Sequence, residues 1–547
     1  MGQSEASRQD RTWEWLIGVW FVVVYGIAVL NPVYTDEIAY EYMLGRFFRD
    51  DGGQFFMWPE CSSFHQGVPL LWQIPRSLVA AVYHIIPNLF ALRLLGFGLA
   101  LSNVYLLYRI LSSFLPQVSG RAVSLFLLSL TAGVFPFLAV MMRPEGLLVF
   151  FALASLAVCQ TLGSRRPTIA AVCVFGGSIL ASSTHPLGIA ELPLFVACLW
   201  SLRSRTRFAL PLLLSVVLYA VASVPLHDRW LRCDENPAVT NFLKQYRGGP
   251  FTVEALPILL FDLPGRGINM FHSIVNWLSP LPGYMSGIVP RRVWGDASYT
   301  VRIGIGLVLV WLLAFCWFLV RALVGAVRSG HLRERITSFP GVVGLGAFCS
   351  LLALISMQPF LLPYRLSFIM PLLVLLVGLL GFSSFLREHP TACLRLNGRI
   401  ARLAVASSVV TLLAYVPLIV ARLEHVTTDM QPHSTSHLTS VKPSSLGEIV
   451  TRCGLQQGAR FRRLFVDEHT YWLFRDSQEP VFFTYTGFAG HPLPAQELWR
   501  RLVAAEADGL VIHCASVQRM LGTSPDLRRV DDLCCLSKHE IASLAQK

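Results

Sequence analysis

The stretch Trp13–Leu30, WEWLIGVWFVVVYGIAVL, runs directly into Asn31–Tyr40, NPVYTDEIAY. Its first part is apolar over a length that crosses the hydrocarbon of a bilayer at about 1.5 Å per helical residue. Asn31-Pro32 ends that helix, because proline removes a donor and disfavours helix in the residue before it. The chain therefore leaves the membrane just ahead of two adjacent carboxylates, Asp36 and Glu37, at the water edge. The apolar run is longer than the 7–15 residues of a usual signal-peptide core, and no small-x-small site follows closely. It reads as a retained signal-anchor helix.

The rest of the chain extends this pattern. Of its 547 residues 54% are hydrophobic and only 14% are charged, against about 25% charged in an ordinary soluble domain. Long uncharged apolar runs recur, which makes this an α-helical polytopic membrane protein. The net charge of +12 is carried by basic residues set between apolar runs, so it is no sign of a nucleic-acid partner. Lysine occurs only at positions 244, 442, 538 and 547. An Arg-rich, Lys-poor composition points to a high-GC bacterial genome. The membrane would then be the bacterial inner membrane and the outer compartment a periplasm.

The apolar runs predict about eleven spans. After the first come Leu89–Ile110, Ala122–Met141, Gly146–Leu162, Ile169–Ser183, Leu187–Leu202 and Phe208–Val224. Ile303–Val320, Val342–Ser356, Leu366–Phe382 and Leu403–Ile419 complete the set. Arg8 and Arg11 put the N-terminus in the cytoplasm. Alternation then assigns Arg109 and Arg121, Arg165 and Arg166, Arg203, Arg205 and Arg207, and later Arg clusters to cytoplasmic loops. The short outer connectors keep only Arg143 and Arg365. On this reading residues 1–421 form the membrane domain, with outer loops about 33–87 and 227–299. Within the first loop Glu37–Arg49 reads as an interfacial helix. Val68–Ile86, broken by Pro69, Pro75 and Arg76, reads as re-entrant or interfacial.

Residues 422–547 form a small extracytoplasmic α/β domain. Arg463–Asp467, Pro480–Tyr485 and Gly509–His513 read as strands, with helices over Ala495–Ala507 and Val517–Leu521. Six cysteines fall outside on this topology: Cys61, Cys233, Cys453, Cys514, Cys534 and Cys535. An even number in an oxidising compartment permits disulfides, but the connectivity stays open and some can be buried thiols. Cys534-Cys535 lacks the spacing of a metal knuckle.

Ionisable residues at membrane depth are costly and each needs a reason. Four clusters lie at span ends on the outer side: Thr35-Asp36-Glu37, Met142-Arg143-Pro144-Glu145, Thr184-His185-Pro186 and Pro363-Tyr364-Arg365. Together they describe one cleft lined by carboxylates, Arg and His. Each also has a plainer use. Asp36 is a good N-cap, Glu145 suits a helix N-terminus, Arg143 can snorkel to headgroups, and His185 sits at a helix boundary. Arg365 lies on the wrong side to be a topology signal and reads as an anion ligand. A carboxylate can take the proton of an attacking hydroxyl. A phosphate leaving group gains charge as its bond breaks, so Arg near it binds the transition state best.

With these motifs the chain resembles the lipid-linked glycosyltransferases of the GT-C superfold. More closely, it resembles the bacterial dolichyl-phosphate-mannose–protein mannosyltransferase and aminoarabinose transferase group. The likeness rests on Tyr34-Thr-Asp-Glu37, Val68-Pro-Leu-Leu71, Ala91-Leu-Arg-Leu94, Arg143-Pro-Glu145, His185-Pro186, Pro363-Tyr-Arg-Leu366 and the outer C-terminal domain. The resemblance implies a polyprenyl-phosphate sugar donor, transfer with inversion, and a lipid, glycan or protein acceptor. It gives the base role to Asp36, with Glu37 beside it toward the acceptor and Glu145 as a second acidic position. Arg365 and, behind it, Arg143, His185 and Tyr364 would meet the donor phosphate and lipid. Some relatives use a divalent metal; no metal cage stands out here. Two other classes stay open. A glycan polymerase or ligase on lipid pyrophosphates would favour outer Arg pairs such as Arg291-Arg292. A transporter predicts internal repeats and polar residues at mid-span.

Overall fold

A computed structural model describes residues 2–29, 81–82, 85–86, 89–114, 120–131, 135–141, 143–230, 265, 324, 338–357 and 366–379. In the tail it describes residues 446–455, 464–467, 470, 480–482, 495–504, 506–514, 527–530 and 533–546. The described chain is mostly helical, with a small sheet near the C-terminus. Among the described residues five helices are long and apolar enough to cross a membrane: Thr12–Val29, Ala91–Phe114, Pro144–Leu162, Pro167–Thr184 and Phe339–Ser356. Shorter apolar helices cover Leu187–Leu202, Ala209–Ala222 and Ser367–Val377. The expected spans at 303–320 and 403–419 and the helix Glu37–Arg49 fall outside the described residues, as does nearly all of the loops 33–87 and 227–299; the last helix before the second loop runs on to residue 230.

In chain order the helices are α1 (Gly2–Val29), α2 (Leu89–Phe114), α3 (Gly120–Leu127), α4 (Phe135–Val140), α5 (Pro144–Leu162) and α6 (Pro167–Thr184). They continue as α7 (Leu192–Leu202), α8 (Ala209–Trp230), α9 (Phe339–Met357) and α10 (Leu366–Val377). The single span expected over Ala122–Met141 is instead broken into α3, a 3₁₀ turn at Leu128–Thr131, and α4. Its local causes can be read. The hydroxyls of Ser129 and Thr131 donate to the carbonyls of Phe126 and Leu128, at 2.9 and 2.7 Å. That back-bonding favours a tighter turn. Pro136 has no N–H to continue a helix and is tolerated only in the first turn of α4. The expected Leu187–Leu202 span also begins as a 3₁₀ turn, Pro186–Glu191, and becomes α-helical at Leu192, where Pro193 occupies the first turn.

α5 and α6 pack along their lengths as an antiparallel hairpin, and each starts with proline at its first position. The turns 163–166 and 203–208 carry Arg165, Arg166, Arg203, Arg205 and Arg207. They lie side by side, since Thr168 Oγ1 and Thr206 Oγ1 are 3.0 Å apart. Arg143 and His185 sit at the opposite ends of α5 and α6. The bundle core includes Tyr25, Leu107, Phe137, Leu148, Phe195 and Phe368. Outward-facing positions are apolar as well: Trp15 and Val221 are 77% and 66% exposed. Such an apolar exterior suits lipid rather than water.

In the tail, α11 (Leu446–Arg452) precedes β1 (Leu464–Val466), β2 (Pro480–Phe482), α12 (Ala495–Ala504) and β3 (Gly509–His513). β4 (Arg528–Val530), β5 (Leu533–Ser537) and α13 (Lys538–Gln546) follow. The strand order is β2-β1-β3-β5-β4. β1 is parallel to β2 and β3, with Phe465 opposite Val481 and Leu510. β5 is antiparallel to β3 and β4. α12 and α13 pack on the sheet through Leu498, Trp499, Leu502 and Ile541. The sequence reading finds β1–β3 and α12 but not the β4–β5 hairpin or α13. Cys534 and Cys535 are strand residues, and both are bonded: Cys453–Cys535 and Cys514–Cys534 are disulfides. Cys61, Cys233 and the expected helix Val517–Leu521 lie outside the described residues.

Candidate functional site

The best-defined part of the site is the start of α5. Arg143 occupies the N-cap in extended conformation, Pro144 fixes the first helical φ, and Glu145 stands in the first turn. Negative charge is favoured there by the helix dipole. The Arg143 guanidinium meets the Glu145 carboxylate side-on: Nε to Oε2 at 3.2 Å and Nη2 to Oε1 at 3.4 Å. Only 3% of the Arg143 side chain and none of Glu145 is exposed. Arg143 therefore does not snorkel outward. Each charge in this pair answers the other in a dry setting, where an unmatched one would cost several kcal/mol.

Against Gly146, the residue after Glu145, is a cavity of about 20 Å³, room for one water. It is lined by Tyr25, Asn103, Leu130, Phe135, Gly146 and Ser367 among others. The Asn103 amide donates to the Gly146 carbonyl at 3.0 Å, which ties α2 to the turn that holds Glu145. Its Oδ1 is buried without a partner among the described residues. The Tyr25 hydroxyl donates to the Leu130 carbonyl at 3.0 Å. The lining joins the C-terminal part of α1, the N-terminus of α5 and the N-terminus of α10 at one end of the bundle.

Arg93, nearly buried in α2, completes this end. Its Nη1 donates to the Val29 carbonyl at 3.0 Å, and its guanidinium lies over the Phe137 ring, 5.5 Å from the centroid. A cation at the last carbonyls of α1 satisfies the helix terminus and its dipole together. Arg93 thus ties α2 to the last described turn of α1. His185 also serves a helix end, since its Nδ1 accepts from the Leu187 N–H at 3.1 Å and caps the 3₁₀ turn. In the neutral ring that leaves the proton on Nε2, as a donor.

Of the seven site residues read from sequence, the structure describes Arg143, Glu145 and His185. Asp36, Glu37, Tyr364 and Arg365 lie outside the described residues. Arg143 and Glu145 are brought together; His185 lies at the same end of the α5–α6 hairpin. The sequence reading passes over Arg93 as a site residue and omits Glu191, which is fully buried at the end of the 3₁₀ turn. Both carry the signal that would find them, an ionisable side chain inside an apolar run. Among the described residues no three His, Cys, Asp or Glu side chains gather to hold a metal. The chain matches no protein-family model and no curated protein.

Proposed function

We propose that the chain is an integral-membrane glycosyltransferase, moving a sugar from a polyprenyl phosphate to an acceptor hydroxyl at the outer face of the membrane. The observation that carries the reading is the meeting of three helix ends, of α1, α5 and α10, around one small cavity that reaches Gly146, next in sequence to the buried Arg143–Glu145 pair. Asp36-Glu37 follow α1 in sequence, and Tyr364-Arg365 directly precede α10. The acidic and basic residues that the chemistry needs thus flank helix ends that are already neighbours. The Arg-rich turns gather at the other end, which supports a cytoplasmic side there and an outer side at the site. Two disulfides in the tail fit an oxidising, extracytoplasmic compartment.

In this reading the acceptor oxygen attacks the anomeric carbon from the face opposite the phosphate. Asp36 takes the hydroxyl proton. The bond from the anomeric carbon to the phosphate oxygen breaks, and its electron pair leaves with the polyprenyl phosphate, which becomes a monoester. The charge gained on that phosphate is met by Arg365 and stabilises the transition state more than the ground state. Glu37 is set toward the acceptor. Arg143 and Glu145 hold each other, so their part is to shape the floor of the cleft.

The test is transfer from a panel of labelled polyprenyl-phosphate monosaccharides, with water or a membrane extract as acceptor. Wild type should turn over one donor, and Asp36→Asn should lose about 10²–10⁴-fold in turnover, the usual contribution of a general base, while still binding it. No turnover and no binding with any donor would reject the reading.

A further inference from the structure

Glu191 closes the 3₁₀ turn Pro186–Glu191 and is fully buried, and neither carboxyl oxygen has a hydrogen-bond partner among the described residues. None of the described ion pairs includes it. Ser182 on α6 and Ser350 on α9 share this condition: each is fully buried with a hydroxyl oxygen that lacks a partner among the described residues. The turn carrying Glu191 packs against both helices. On the α6 side Gly188 presses on the Ala181 carbonyl, and a Cβ placed on it would stand 2.7 Å from the Ser182 nitrogen. Glu191, three residues on, repeats the Gly188 position in 3₁₀ geometry. On the α9 side a Cβ on Gly346 would stand 3.0 Å from the Pro193 carbonyl oxygen. Ser350 lies one turn further along that face.

The end of α6 adds acceptors. The Ser182 carbonyl would take the N–H four residues on, but that residue is Pro186 and has none. The Ser183 carbonyl would take the Leu187 N–H, which goes to His185 Nδ1 instead. This helix end also carries the negative pole of its dipole.

An ionised, unpaired carboxylate beside that pole would cost several kcal/mol in a dry core. A neutral acid would have to donate its O–H to one of those terminal carbonyls, and neither carboxyl oxygen meets a partner among the described residues. Buried oxygens left without partners on one turn and on the two helices packed against it suit a hard ion as their common partner, which draws its ligands to about 2.3–2.6 Å for a calcium-sized ion. With one carboxylate among otherwise neutral oxygens, a single positive charge balances the set. We propose that Glu191, with Ser182, Ser350 and the terminal carbonyls of α6, binds one monovalent cation of sodium size. The ion joins α6, the 3₁₀ turn and α9.

The experiment is thermal unfolding of the full chain in nanodiscs, with NaCl replacing choline chloride at constant ionic strength and pH. The midpoint should rise with Na⁺ and saturate, since a ligand bound only by the native state stabilises it. Glu191→Gln should abolish that rise, and Ser182→Ala should raise the half-saturating Na⁺ concentration several-fold. A wild-type midpoint indifferent to Na⁺, or a rise that Glu191→Gln retains, would overturn the proposal. If Glu191→Gln does not fold, the Ser182→Ala/Ser350→Ala double variant gives the same comparison.

Discussion

At the residue scale the Arg143–Glu145 pair makes the sharpest demand. Removing one member leaves the other charged and buried, at about 3–5 kcal/mol. Arg143→Ala and Glu145→Ala should each lower stability by that order, measured by denaturant unfolding in nanodiscs. The double variant should be less unstable than the sum of the two, because neither charge is then stranded. A second residue-scale prediction concerns pH. Ser537 and Glu540 form a capping box at the start of α13: the Ser537 N–H and hydroxyl both donate to Glu540 Oε2 at 2.7 Å, and Arg528 Nη2 donates to Oε1 at 2.6 Å. Burial by itself would raise the Glu540 carboxyl; the Ser537 donors and Arg528 outweigh it and hold it below the usual carboxylate range. A depressed carboxylate contributes stability above its unfolded pKa, about 4.3, and loses it as pH falls through the lower folded value. Glu540→Gln should therefore destabilise the tail at pH 7 and progressively less under acid, read as the gap between the two melting curves. With side-chain exposures of 30% and 42% for Glu540 and Arg528, the ion pair is screened. The cap then supplies most of the effect, about 1 kcal/mol.

At the element scale the 3₁₀ turn Pro186–Glu191 decides how closely α6 and α7 approach. Gly188 lies against the Ala181 backbone, so a methyl there meets a carbonyl that cannot rotate away. Gly188→Ala should destabilise the bundle by at least the 1–3 kcal/mol of ordinary overpacking, seen as a lower unfolding midpoint in detergent. Gly346→Ala should act in the same direction and more weakly, because its nearest contacts, at 2.8 to 3.1 Å, are less tight than those of Gly188. Elements of this kind are the least legible in the sequence. Runs such as Pro144–Leu162 and Pro167–Thr184 announce themselves by length, apolarity and a leading proline. Leu128–Thr131 is equally apolar, and its 3₁₀ turn depends on hydroxyl back-bonds that composition does not reveal. Leu533–Ser537 is hard to read because it is buried almost throughout, so it lacks the alternation that marks a half-exposed strand. The grouping of Arg143, Glu145 and His185 at the end away from the Arg-rich turns is legible from loop charges alone; the buried pairing of Arg143 with Glu145 is not, because adjacency in sequence says nothing about burial.

At the scale of the whole molecule, an apolar bundle with Arg-rich turns at one end is joined by the chain to a disulfide-stapled α/β tail. The loops closed by Cys453–Cys535 and Cys514–Cys534 have sequence separations of 82 and 20. In the chain-entropy model such closures stabilise by about 3–5 kcal/mol each, the longer loop by more. Replacing Cys453 and Cys535 together by Ser should lower the tail's unfolding midpoint more than replacing Cys514 and Cys534, when both variants are melted under oxidising conditions. Reductant should erase the difference between wild type and the variants.

The connectivity of those bridges also has a temporal meaning. The pairs are nested, with 514–534 inside 453–535. If the tail is exported, as proposed, N-terminus first, Cys453 and Cys514 are presented before either of their partners has crossed. The first pair able to oxidise is the wrong one, and reaching the native state then requires thiol exchange, which takes seconds to hours without assistance. On the proposed extracytoplasmic placement, maturation of the tail should therefore be limited by thiol shuffling rather than by oxidation.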